Sequence, residues 1–114
     1  MLSFDPDDAR YVSELAEFVG GRVVRTDSHP VVQGEWLGAP GAPTILVYGH
    51  YEVQPTGDLA EWDTSPFELT IDGDVMRGRG ATDDKGPVYI VLKTAQAFAA
   101  QEGGLPLNVK FAGV

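Results

Sequence analysis

The stretch TILVY at 44–48 constrains the fold more than any other part of the chain. After its threonine it is apolar without alternation, so it predicts a strand covered on both faces, as in the middle of a mixed or parallel sheet. The loop before it, GAPGAP at 38–43, cannot continue a helix or a strand. Straight after it the chain places His50 and Glu52. In open α/β sheets ligands bind beyond the carboxyl ends of the strands, which makes a histidine there a candidate functional residue.

Other elements read outward from that strand. Asp5 followed by Pro6 predicts a helix start, with the aspartate as N-cap and proline at the first helical position. Tyr11, Val12, Leu15, Phe18 and Val19 recur at helical spacing, and Gly20-Gly21 ends the helix. Short strands are expected at 22–26 and 31–37, on either side of a turn holding His29 and Pro30. Residues 51–66 are rich in Pro, Gly and acids, and irregular stretches of that length inside a compact domain are usually functional. Segments 67–71 and 75–77 flank Asp72-Gly73, a hairpin turn signal. A helix is expected over 87–101, with Val88, Val91, Leu92, Ala95, Phe98 and Ala99 on its apolar face. A last strand at 107–114 completes an order that suits an α/β sandwich. The chain stops on an apolar strand, so the fold is expected to be unfinished there.

Composition narrows the function. A chain of 114 residues holds one domain with a modest core. Its 17 acidic against 8 basic residues give a net charge of −9, which repels nucleic acid and anionic membrane and argues against both as partners. The first ten residues have no basic and apolar signal-peptide pattern, and no apolar run reaches the ~20 residues of a membrane helix, so a cytoplasmic location is expected. There is no cysteine, so a metal site would have to use His, Asp and Glu.

Those residue types fall at two places. Glu52 is placed to accept a hydrogen bond from the His50 ring nitrogen that faces away from a metal, as such histidines usually require. Spacing alone leaves Glu52 open between that role and a solvated loop carboxylate. Asp83 and Asp84 are adjacent carboxylates, which repel each other unless a cation compensates or both are solvated. A helix N-terminus explains Asp84 without metal, and explains Asp83 less well. Lys85 does not complete a phosphate loop, since no Ser or Thr follows it, and Gly78-x-Gly80 does not complete a dinucleotide fingerprint. Trp36, Trp62 and Phe67 read as packing residues.

Taken together, VYGHYEVQP, EWDTSPFE, GRGATDDKGPV and LPLNVKF, in that order, resemble the dinuclear zinc peptidases of the carnosinase and glutamate carboxypeptidase type, with acetylornithine deacetylase among their relatives. The resemblance implies a three-layer α/β/α zinc-exopeptidase-like catalytic domain with a mixed sheet. Residues 1–114 would be the N-terminal part of it, without the dimerisation domain. It implies that His50 binds one zinc and that Asp83, 33 residues on, bridges two. It also implies a cis peptide bond after Asp83. Glu52 stands where the family has aspartate, as the catalytic-site residue that orients His50. Its extra methylene would carry the carboxylate past the ring unless the loop shifts. The implied substrates are small peptides or N-acyl amino acids. The general base, the first of two adjacent glutamates, would follow the strand matching LNVKFAGV, as would the later carboxylate and histidine ligands. The chain alone is therefore expected to be an inactive N-terminal piece of a zinc-dependent dipeptidase or amidohydrolase. Two other readings stand beside this one: a non-catalytic α/β module, and a half-site completed by another chain.

Overall fold

A computed structural model describes residues 20–114, so the helix expected over 5–19 lies outside the described residues. The strands are β1 (Arg22–Val24), β2 (Val31–Trp36), β3 (Thr44–Gly49), β4 (Thr70–Asp72), β5 (Val75–Arg77) and β6 (Asn108–Gly113). One α-helix, α1 (Lys85–Ala99), and a 3-10 turn, Leu59–Glu61, complete the described elements.

Four strands form a mixed sheet in the order β1-β2-β6-β3. β2 runs antiparallel to both β1 and β6, while β3 and β6 are parallel, with Ile45 opposite Val109 and Val47 opposite Phe111. Parallel neighbours need a long crossover, and here it contains the loop 50–69, the β4–β5 hairpin and α1. The pairing continues past the strand ends. Val114 N–H donates to the Gly49 carbonyl at 3.1 Å, and Tyr51 N–H donates to the Val114 carbonyl at 2.7 Å. This fixes the backbone on both sides of His50.

The core is Val32 from β2, Tyr51, Val88 and Leu92 from α1, and Phe111 from β6, with Trp36 and Val47 packed against it. Val88 and Leu92 are four apart and so share the helix face that meets the sheet. Fully burying side chains of this kind stabilises by about 1.5–3 kcal/mol each. Asn108 holds the GAPGAP loop: its amide oxygen accepts from Ala39 N–H at 3.1 Å, and its amide nitrogen donates to the carbonyls of Ala39 at 2.9 Å and Ala42 at 3.1 Å.

The α/β class and the mixed sheet are as expected, with three differences in detail. Among the described residues β3 lies at the edge of the sheet, with β6 on one side. Leu46 is 70% exposed, Tyr48 65% and Ile45 43%. Its uniform apolarity expresses a need for cover, which sequence cannot assign to a neighbour, and the described residues supply only part of it. The helix begins at Lys85, two residues early, because Pro87 sits in the first turn, where its missing N–H has no helical partner to lose. Asp72 pairs with Val75, so the hairpin turns on Gly73-Asp74 instead of Asp72-Gly73. Gly73 supplies the positive φ, +59°, that a tight hairpin needs.

Candidate metal centre

β3 ends at Gly49 because the helix arrives there. A Cβ on Gly49 would lie 2.4 Å from Val88 Cγ2 and 3.0 Å from Asp84 Oδ2. Only a hydrogen at this position lets the first turn of α1 close on the strand. His50 follows, and its backbone N–H donates to Asp84 Oδ2 at 3.2 Å. Asp84 occupies the N-cap position of α1 but makes no side-chain cap hydrogen bond. Its carboxylate ties the end of the strand to the start of the helix.

The His50 ring is held from both sides. Nδ1 lies 3.1 Å from the Glu52 backbone carbonyl and 3.5 Å from Glu52 Oε1, so the main chain makes the shorter contact and the carboxylate stands further off. Nε2 lies 2.9 Å from Asp83 Oδ1. The peptide bond between Asp83 and Asp84 is cis. His50, Glu52, Asp83 and Asp84, separated in sequence, thus meet at the carboxyl end of β3.

The electrostatics follow. Burial favours the neutral imidazole, but the Glu52 carbonyl, the hydrogen bond and charge of Asp83, and the charge of Asp84 together outweigh it, so His50 titrates above the ordinary histidine value of 6.5.

Donor type fits a divalent metal: imidazole and carboxylate are what zinc takes when thiolate is absent. Donor number falls short. Among the described residues no group of three or more His, Cys, Asp or Glu is placed to hold a metal ion, whereas zinc usually takes four ligands.

Residue types did not reveal the support around this site. Arg79 donates from Nη2 to the Pro55 carbonyl at 2.8 Å, and its guanidinium lies 4.8 Å over the Trp62 ring. Trp62, read from sequence as a packing residue, also donates from Nε1 to the Thr56 carbonyl at 2.9 Å. The available signal was an arginine between two glycines close to a carboxylate pair. Lys85, rejected as a phosphate ligand, is buried to 3% exposure beneath the Gly80 turn.

A mixed α/β sheet with an imidazole and a carboxylate converging at the carboxyl end of a parallel strand defines the class: an α/β fold with its polar side chains gathered at a strand end. The chain belongs to peptidase family M20/M25/M40, whose model matches residues 46–114. It is 43% identical over 82 residues to the Cys-Gly metallodipeptidase of Saccharomyces cerevisiae, a match covering 70% of this chain and 17% of that protein. It is 45% identical over 83 residues to the human Beta-Ala-His dipeptidase, covering 72% of this chain and 16% of that protein. Among solved structures, a metallo-carboxypeptidase of the M20 family from Sulfolobus solfataricus superposes with a TM-score of 0.82 at 32% identity, covering 92% of this chain and 24% of that one. Human carnosine dipeptidase 1 gives 0.77 at 34% identity, covering 91% and 24%. The chain therefore spans about a sixth of the length of the curated relatives it matches.

Proposed function

We propose that residues 1–114 form the N-terminal part of the catalytic domain of a zinc-dependent dipeptidase or amidohydrolase acting on small peptides or N-acyl amino acids in the cytoplasm. The observation that carries this reading is the His50–Asp83 pair at the end of β3, 2.9 Å apart and gripped by two loops. His50 and Asp83 would hold the metal. When bound there, zinc supplies a Lewis acid that polarises a carbonyl and lowers the pKa of its water. The chain's own contribution is orientation. The Glu52 carbonyl holds a proton on His50 Nδ1, which leaves Nε2 as the nitrogen that presents a lone pair once its own proton is lost. In this reading Glu52 acts through its backbone first and its carboxylate second.

Among the described residues no group of three or more donors gathers at His50, which supports the reading of an incomplete site. The exposed apolar residues on β3, Leu46 and Tyr48, support a domain that continues over that edge. The test is a hydrolysis assay of the 114-residue chain with added zinc on Cys-Gly, β-Ala-His and N-acyl amino acids. No turnover is expected. Turnover that disappears in His50→Ala would overturn the reading of an incomplete site. Zinc binding by calorimetry, weak and lost in both His50→Ala and Asp83→Ala, is the positive counterpart. Binding unaffected by either substitution would refute the ligand assignment.

A further inference from the structure

Two loops grip the His50 ring, and one residue joins those loops. The loop after β3 carries Glu52, whose carbonyl meets Nδ1. The loop after β5 carries Asp83, whose carboxylate meets Nε2. Arg79 belongs to the second loop and bonds chiefly to the first. Its backbone N–H donates to the Pro66 carbonyl at 2.7 Å and its Nη2 to the Pro55 carbonyl at 2.8 Å. Its guanidinium covers Trp62, itself bonded to the Thr56 carbonyl. The guanidinium Nε is buried without a hydrogen-bond partner, so the contacts on the Nη2 and ring sides hold the group in place.

Beyond Arg79 the second loop is closed tightly. Ala81 N–H donates to the Gly78 carbonyl at 3.3 Å, and Gly86 N–H donates to the Gly80 carbonyl at 3.0 Å. Gly80 has φ +82°, and a Cβ there would press against Val53 and the Lys85 stem at 3.2–3.3 Å. Little slack is left between Arg79 and Asp83. Cation–π stacking and charge-assisted hydrogen bonds to carbonyls are among the stronger tethers a loop can have.

From this arrangement we infer that Arg79 is the positioning residue of the centre: by clamping the loop of residues 51–66 to the loop of residues 78–84 it sets Asp83 and the Glu52 carbonyl on opposite sides of His50. The assignment of a metal to the pair rests on the function proposed above; the clamp itself does not. Asp83 is 78% exposed at its side chain and gains little orientation from packing. Its position therefore depends on its loop.

The test is nuclear magnetic resonance of the metal-free 114-residue chain at one fixed pH, read at the His50 imidazole nitrogens and protons, with Asp83→Asn as calibration. Arg79→Ala should move the His50 resonances toward those of Asp83→Asn while the amides of β2, β3, β6 and α1 keep their positions. Arg79→Lys keeps the charge and stem but not the fork, and should move them partway; it also decides the matter if the alanine variant does not fold. Wild-type His50 resonances in a folded Arg79 variant would overturn the inference, because the arginine would then staple the loop without reaching the centre. Titration with Co2+, read by its visible absorption, is the second readout. Affinity should fall by roughly 10-fold in Arg79→Ala, the lower end of what lost outer supports cost. Unchanged affinity in that variant would also overturn the inference. Wild-type chain that shows no Co2+ absorption would refute the metal assignment instead, and the imidazole resonances alone would then judge Arg79.

Discussion

Gly49→Ala is a small change with a large expected effect. Gly49 has no positive φ, so alanine meets no backbone strain there and on chain-entropy grounds would stabilise by about 0.4–1 kcal/mol. The packing predicts the opposite. The new methyl carbon would lie 2.4 Å from Val88 Cγ2, far inside contact distance, and 3.0 Å from Asp84 Oδ2. Val88 is 6% exposed on a helix turn pressed to the sheet, so it has no open side to move into. Overpacking of this kind costs about 1–3 kcal/mol. Lifting the helix start also stretches the His50 N–H to Asp84 bond, and a hydrogen bond to a charged group contributes about 1.5–3 kcal/mol when intact. The two losses overlap, since relieving one strains the other, and a total of about 2–4 kcal/mol follows. Urea unfolding followed by circular dichroism should show the midpoint falling by roughly 1–3 M at the slope usual for small domains. The double variant Gly49→Ala with Val88→Ala should recover part of the loss, because removing Cγ2 vacates the space the new methyl needs. Strict additivity of the two single changes would refute the reasoning, as it would mean that Gly49 and Val88 do not compete for space.

Three further outcomes are expected. His50 has a raised folded pKa, so its contribution to the stability of the metal-free chain is fully present below the unfolded value near 6.5 and is lost as pH rises through the folded value; Asp83→Asn should flatten that dependence in urea midpoints measured from pH 5 to 9. Asn108→Ala strips three hydrogen bonds from the loop at 39–42 and should destabilise by about 2 kcal/mol, with faster hydrogen exchange at the Ala39 amide; slow exchange there would show that the loop holds itself. Tyr51→Phe removes the phenol bond to the Pro30 carbonyl within the core and should cost about 1 kcal/mol, leaving the His50 resonances in place; movement of those resonances would mean that the phenol also fixes the site.

The proximity of His50 and Asp83 was legible where it depends on residue type and order. His50, Asp83 and the glycines around them stand in blocks whose order carried the resemblance, and the β3–α1 approach at Gly49 brings them together. Tyr51 was not legible: it follows a strand in what reads as the start of an irregular loop, yet it is 1% exposed and fills the core beside Val32 and Phe111. Its hydroxyl donates to the Pro30 carbonyl, and a backbone acceptor leaves no mark in the sequence. The same holds for Arg79, whose hydrogen-bond partners are the carbonyls of Pro55 and Pro66. The edge position of β3 among the described residues has a different cause. An unbroken apolar strand states that both its faces want cover, and the tertiary arrangement alone says how much of that cover the rest of the chain provides.

That edge strand has a consequence for the chain as a colloid. β3 offers a row of backbone groups with no strand partner among the described residues, flanked by Leu46 and Tyr48 in water. What opposes stacking of one copy on another is the net charge of −9. Salt shortens the reach of that repulsion from ~10 Å at 0.1 M to ~3 Å at 1 M, while the apolar attraction persists. Acid removes the repulsion altogether as the isoelectric point near 4.4 is approached. Light scattering of the isolated chain should therefore rise with salt and with falling pH, and a lysine at Leu46 should suppress both.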